Sequence, residues 1–557
     1  MPLICLSCAL WLPALLGLGL PLSGLLDLAA RRRVPGVALR ALLDACCGIF
    51  TMATLAAALG LVLPVYPLLS TALLSGGWLL AIRSRRRWTG APARAWRCLA
   101  IVAAIVLLAD ARGIPCYDTG LYHLQAVRWI TNGPTPRGLA NLFGPLGSNS
   151  AWFAFAAALE TPGLLGRSCF IANALLAILT ATAAMDAALQ LRRGSGTTRA
   201  ARLILALMLI PLATFGIYWA LISSLSPDLA VMLLVMLATA LWIASPAFSP
   251  HVLVLACLAT AIKPSAAPLL LGAAAAMVFW MARHHGSLRW RPTLGAIAAC
   301  LVAGAVFVAR GLWTSGWVAF PFPLGSITRL RWTTPDTYRQ TVALRIELWA
   351  KFHALPGQVA PGQRWGMLWI QRFGLSQPMG FVLTTLAAGL VLLAWKRGAW
   401  PSKSTTRRIA AAALLHVAAI GLWIAQAPDL RFGYGYLISL AALPLAIVCG
   451  GQRRLHSPPS TGRAVWIGPL AGLCLLLLVR LDRHLLKAAR LGWPTIPHSR
   501  FTLAHTADGT SIHIPVPPED RVWDQPALAT PELLPGLHCE HDSAGGIREF
   551  WIAPPPK

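Results

Sequence analysis

An aspartate followed closely by a tyrosine and a histidine, Asp118-Thr119-Gly120-Leu121-Tyr122-His123, stands a few residues beyond an apolar run. A carboxylate so placed can take a proton from a hydroxyl, the work of a general base. Cations stand at the ends of other apolar runs: Lys263 before Pro264, Arg310, and Arg431 in the turn Pro428-Asp429-Leu430-Arg431. Arg presents a bidentate fork and Lys a point charge, and both can hold a phosphate or an oxygen that gains negative charge. Asp228, after Ser226-Pro227, and Asp429 are second acids able to orient the first. Each of these residues also has a plainer reading. Asp228 after a proline caps the helix it opens, Asp429 and Arg431 pair within their own turn, and Arg310 snorkels to water from a helix end. His123 is then a hydrogen-bonded support and Asp118 a solvated loop acid. Lys263 has the least ordinary setting, because a charge between two apolar helices needs water, a partner or a ligand.

The elements that must position these residues are apolar helices. Lys and Arg number 47 against 19 Asp and Glu, a net charge of +28, yet charged residues are 12% of the 557 and hydrophobic ones 57%. Charge so sparse on a chain so long excludes an ordinary soluble globule, a disordered tail and a free nucleic-acid binder. Apolar runs of about 20 residues recur from end to end, each long enough to cross roughly 30 Å of hydrocarbon. The expected fold is an all-α polytopic membrane protein with about 14 transmembrane helices. They fall near residues 5–25, 39–64, 66–82, 96–108, 167–189, 202–223, 228–244, 251–262, 265–281, 292–310, 374–395, 409–425, 432–450 and 466–479. The first run has its arginines after it, opposite to a secretory signal, and reads as a retained span. The 12 cysteines are scattered, mostly within apolar runs, and read as small apolar packing residues.

Basic clusters at residues 31–33, 83–87, 192–193, 283–291, 396–408 and 453–463 all fall on one side if that even count holds, and mark the cytoplasmic face. The other face then carries both termini and the loop 110–166, with interfacial amphipathic helices over 119–130 and 150–160. It also carries the Asp228 turn, Lys263, Arg310, the loop 311–373 and the Asp429 turn. The tail completes that face as a small Pro-rich appendage with a strand-like stretch at 510–516 and the Trp523-Asp524 pair. Residues 1–95 form a three-helix extension, 96–480 the core and 481–557 the tail. Chemistry on that face, together with the lack of any GxxxxGK[ST] phosphate loop, argues against direct use of ATP or nucleotide-sugars.

The Asp118 to His123 block resembles the first-loop acid motif of the GT-C membrane glycosyltransferases, which use polyprenyl-phosphate-linked sugars. Through that block, Ser226-Pro227-Asp228, Lys263-Pro264-Ser265, residues 310–323, 427–432 and 512–531, the chain resembles a bacterial family of multi-spanning proteins distantly related to that superfamily. The resemblance implies a GT-C-like core that moves a sugar, with inversion, from a polyprenyl-phosphate donor to a glycan or lipid acceptor of the envelope. It implies the outer face of the bacterial cytoplasmic (inner) membrane, with both termini periplasmic. Catalytic roles fall to Asp118, His123 and Asp228, and substrate-binding roles to Tyr122, Lys263, Arg310, Asp429 and Arg431. The implied partners are the lipid-linked sugar, the acceptor and membrane lipids, with no nucleic acid. GT-C members often carry paired acids where Asp118 is followed by Thr119, so no cofactor is implied and a divalent metal is not indicated. Such a site requires Asp118 to meet at least two of Lys263, Arg310 and Arg431, about 10 Å around a lipid-facing cavity with room for a sugar. The alternatives are a transporter or flippase of lipid-linked glycans, which would place charges near mid-membrane on facing helices, and a non-catalytic scaffold of an envelope-polymer assembly.

Overall fold

A computed structural model describes residues 2–30, 36–111, 113–164, 166–191, 193, 195–214, 216–245, 249–284, 290–360, 362–395, 400–451, 493, 496–525, 528–543 and 545–553. Among them, 8 helices are long and apolar enough to cross a membrane: Pro2–Ala30, Val37–Leu59, Ser168–Leu189, Pro264–Arg283, Trp290–Ser315, Gln377–Ala394, Lys403–Gln426 and Leu430–Gly451. Leu68–Arg83, Asp228–Ala244 and Pro250–Ile262 are shorter apolar helices. Helices dominate because a chain in hydrocarbon must satisfy every backbone N–H and C=O within itself. The whole apolar window of Ser168–Leu189 is buried against 17% of that of Trp290–Ser315, so the first is the centre of the bundle and the second faces lipid.

The expected count of about 14 spans is not reached among the described residues. The run at 202–223 is broken into Gly196–Leu207, Leu209–Thr214 and Gly216–Ile222. Pro211 has no N–H for the Leu207 carbonyl and its ring crowds that oxygen, so the first piece ends at Leu207. The run at 96–108 is the helix Ala93–Asp110, which carries Arg94, Arg97 and Asp110 and falls outside the membrane-length set. The expected span at 466–479, the clusters at 31–33 and 453–463 and the start of the tail lie outside the described residues.

One helix direction relates the two ends of the bundle. Val65 N–H donates to Ile130 O (3.1 Å) and Tyr66 N–H to Thr131 O (3.2 Å), so the helix Leu68–Arg83 starts beside the Asp118 loop. Its 16 residues carry Arg83 roughly 24 Å from that loop. Near that far end, Arg87 donates to Asp44 through Nε (3.0 Å) and Nη2 (2.9 Å) and pairs with Asp27 at 3.4 Å. Ser23 Oγ donates to Asp44 Oδ1 at 2.5 Å, and His251 Nε2 lies 3.7 Å from Asp27, joining the first helices to Pro250–Ile262. The first two helices approach closely enough that a Cβ on Gly19 would stand 1.6 Å from the Asp44 carbonyl oxygen, a position that only glycine can fill.

The first large loop and the tail differ from expectation together. Residues Thr119–His123 form a π-turn that runs into the helix Leu124–Thr131, and Ala151–Ala158 is a second helix. Both are enclosed to a large extent by the rest of the protein. Trp152 to Leu159 are all buried, and Leu124 to Val127 are buried as well. Ala151–Ala158 packs mainly against Val37–Leu59 and Leu124–Thr131, while Gln125 and Arg128 of the latter bond to the tail, which is no appendage. Its antiparallel hairpins, β1 (Phe501–His505) with β2 (Ser511–Pro515) and β3 (Leu537–His541) with β4 (Ile547–Ile552), pack over the loop, and with them the fold departs from all-α. Arg137 N–H donates to Arg548 O (3.0 Å), Phe550 N–H to Arg137 O (2.9 Å), and Thr530 Oγ1 to Leu142 O (3.0 Å).

Candidate functional site

Four separate stretches deliver charges to one place. Asp118 immediately precedes the π-turn. Asp228 is the first residue of the helix Asp228–Ala244, and the turn before it is clamped by Asn173, whose Nδ2 donates to the carbonyls of Leu221, Ser224 and Ser226 at 3.0, 2.9 and 2.9 Å. Lys263 is extended (φ −151°, ψ 123°) because the following Pro264 disfavours helical backbone at the residue before it. That ends the helix at Ile262, whose freed carbonyl accepts from Ser150 Oγ at 2.8 Å. Asp429 ends the turn between Lys403–Gln426 and Leu430–Gly451, where Trp423 Nε1 donates to Asp429 O at 2.8 Å, and Arg431 is the second residue of the latter helix.

Arg431 is the hub. Its Nη1 donates to Asp118 Oδ2 at 2.7 Å, and its Nε lies 3.5 Å from Asp429 Oδ2 and 3.8 Å from Asp228 Oδ2. Those two approaches are electrostatic only, since Nε makes no hydrogen bond. Lys263 Nζ donates to Asp228 Oδ1 and sits 3.4 Å from the Phe432 ring centroid, a cation–π contact. Arg431 N–H donates to Asp429 Oδ1 at 3.1 Å, so the turn pair and the wider cluster are both present. A cavity of about 10 Å³ beside Asp228, Lys263, Arg431 and Tyr436 has room for about one water and none for a sugar.

Burial alone would raise the Asp118 carboxyl, but the Arg431 guanidinium beside it wins and holds it below the usual carboxylate range. His123 is enclosed, with Nδ1 3.4 Å from Thr119 Oγ1 and its ring 4.4 Å from Tyr122 and 5.2 Å from Phe153. Burial pushes its imidazole down to about 4, so it is neutral at pH 7. The ring is packed between Thr119, Tyr122 and Phe153 and makes no hydrogen bond to Asp118.

The sequence-derived residues Asp118, Asp228, Lys263, Asp429 and Arg431 therefore meet, with Tyr122 and His123 packed on the Asp118 turn. Arg310 does not join them by any contact among the described residues. It is 6% exposed, inside Trp290–Ser315, and its Nη1 meets no acceptor there. The snorkelling expectation fails, because neighbouring helices close over the guanidinium before it can reach water. Sequence reasoning missed Asn173, Gln125 and Arg128. Arg128 had a signal: it is a lone cation on the apolar side of a short helix, and it bridges Glu160 (3.3 Å) and Asp524 (2.7 Å).

The model of the family described as Domain of unknown function (DUF8201) matches residues 1–438, and the chain belongs to that family. No curated protein matches it. Among solved structures, the arabinosyltransferase EmbB from Mycobacterium smegmatis is similar at 16% identity with a TM-score of 0.36. The likeness covers 68% of this chain and 34% of that one, about a third of its length.

Proposed function

We propose that this member of the family is an inverting membrane glycosyltransferase that moves a sugar from a polyprenyl-phosphate donor to a glycan or lipid acceptor of the envelope. The observation that carries the reading is the Asp118–Arg431 contact, which joins residues 313 apart in sequence and draws Asp228, Asp429 and Lys263 around it. A chain needing only stability has no use for so many charges in one small volume, because removing charges from water costs more than their pairing usually returns.

In this reading Asp118 takes the proton from the acceptor hydroxyl as the new bond forms from that oxygen to the anomeric carbon. The bond from the anomeric carbon to the phosphate oxygen breaks, and the lipid phosphate leaves with the electron pair. Arg431 and Lys263 hold the departing charge, while Asp228 and Asp429 orient them. Both cations are engaged by carboxylates, so the donor phosphate must displace Asp118 from Arg431, which frees the base as the donor arrives. Arg310 is the further cation for the donor, Tyr122 lines the acceptor side, and His123 supports the turn. No resident cofactor enters this chemistry. The gathering of the site at the helix ends opposite Arg83 and Arg87 supports an outer-face reaction at the bacterial inner membrane with periplasmic termini. It also favours transfer over transport, since the charges lie at helix ends and not on facing helices at mid-membrane.

The test is transfer by the purified protein in lipid nanodiscs from a panel of polyprenyl-phosphate sugars. Asp118→Asn should abolish turnover and keep donor binding, and Arg431→Ala should chiefly weaken donor binding. Turnover by Asp118→Asn at the wild-type rate would end the reading.

A further inference from the structure

Besides its bonds to residues 137–142, the tail is tied by a separate set to the residues on either side of Asp118. In a regular helix the Gly120 carbonyl would accept the N–H of Leu124. That N–H reaches back to Thr119 O instead, the i−5 bond of the π-turn. The Gly120 carbonyl accepts two tail N–H groups, from Val522 (3.0 Å) and Trp523 (2.9 Å). The buried indole of Trp523 lies flat on Gly120, where a Cβ would stand 2.7 Å from the ring. Trp523 itself has φ 46°, a left-handed conformation that a bulky residue keeps only when its surroundings hold it.

The grip extends both ways along the turn. Tyr117 OH donates to Asp520, Gln125 Nε2 donates to Trp523 O at 2.9 Å, and Arg128 donates to Asp524 at 2.7 and 3.1 Å. Arg128 is anchored in turn on Gly166 O at 2.7 Å. Positions 117, 120, 125 and 128 follow helical spacing and face the tail, while Asp118 reaches Arg431 and Tyr122 meets Phe153. A helical irregularity of this kind, set directly after a candidate reacting acid, re-aims the side chains around it.

We propose that tail residues 519–525 are a positioning clasp: by capturing the Gly120 carbonyl they hold the π-turn that aims Asp118 at Arg431 and packs His123 away from water. The proposal rests on the reading of Asp118 as the reacting acid, but its test does not use the reaction. The groups that face His123 are Asp118, Asp228, Arg431 and Lys263 by charge and Tyr122, Thr119 and Phe153 by contact, so its protonation midpoint reports whether the turn stays seated.

The experiment uses the full chain in nanodiscs with Trp523→Ala and Trp523→Phe. Two readouts are taken: amide hydrogen exchange across residues 119–131, and the His123 midpoint from exchange at its imidazole C2 position, read by mass spectrometry. Trp523→Ala should speed the amides by about 10-fold or more and raise the His123 midpoint from about 4 by a unit or more. Exchange in Ser168–Leu189 should stay unchanged, and Trp523→Phe should restore both values. Unchanged readouts, or faster amides with an unmoved His123, would overturn the clasp. Where Trp523→Ala loosens the whole bundle, Arg128→Gln, which releases only Asp524, Glu160 and Gly166, is held to the same two readouts. A wild-type protein that transfers no sugar yet shows both shifts would keep the clasp and lose the transferase.

Discussion

Two buried ion clusters sit at opposite ends of the bundle, and they are built differently. At the Arg87 end the cation, its side chain 24% exposed, holds both oxygens of Asp44 through Nε and Nη2 and reaches Asp27 at 3.4 Å, while Ser23 completes Asp44, whose side chain has no exposure at all. At the Arg431 end one cation is shared among three carboxylates, its Nε makes no hydrogen bond, and Asp118 and Arg431 keep 22% and 21% of their side-chain exposure. At the first end the carboxylate is saturated and sealed, as a structural acid in a low-dielectric interior must be, and only its cation meets solvent. The second is reachable and has bonding capacity left over. Charge in a membrane protein is therefore a weak sign of chemistry until its valence has been counted.

The comparison can be broken most directly by neutralising one charge at each end. Asp118→Asn should lower sugar transfer by about 10²- to 10⁴-fold with only a small loss of melting temperature in nanodiscs, since Arg431 keeps Asp228 and Asp429 beside it. Arg87→Met should do the opposite. It leaves Asp44 buried and unpaired, a cost of about 3–5 kcal/mol that shows as a lower melting temperature and poorer recovery of folded protein. Transfer lost in Arg87→Met at unchanged stability would erase the distinction between the clusters.

A pH series sharpens it. His123 is held near 4 in the folded chain and returns to about 6.5 when unfolded, so between those values the unfolded chain binds more protons. Stability from its burial is fully present above about 6.5 and falls as the pH drops toward 4, by about 3 kcal/mol in all. His123→Phe should remove that slope, read as the difference between the two proteins' melting curves across the range. The smallest effect belongs to the sealed end: Ser23→Ala deletes one of several bonds to Asp44 and should cost about 1 kcal/mol with no change in transfer.

Much of the helical framework was legible in the sequence because its cause is local. Apolar runs of membrane length, the break at Lys263-Pro264 and the helix opening at Asp228 all follow from residue type and immediate neighbours. Where local causes compete, the reading failed: Pro211 inside an otherwise apolar run broke the expected span, and the window that counts hydrophobicity does not register a missing N–H. The loop helices were assigned to a membrane surface because their apolar faces had no visible partner. Those faces meet each other and Val37–Leu59, and the tail takes the polar side of the first helix, as in the Gln125 to Trp523 bond with its separation of 398.

The sequence by itself determined which residues could do chemistry: Asp118, Asp228, Lys263, Asp429 and Arg431 were each marked by a charge at the edge of an apolar helix, where solvation makes charge costly enough to need a reason. Only the tertiary structure decided that these five share one small volume and that Arg310, marked by the same rule, stands apart with its Nη1 unmet. It also decided that Arg431 is the hub and Asp118 its closest carboxylate. The physical reason is range. Helix formation and breakage are settled within a few residues, whereas ion pairing depends on distances set by the packing of whole helices, which no window along the chain contains.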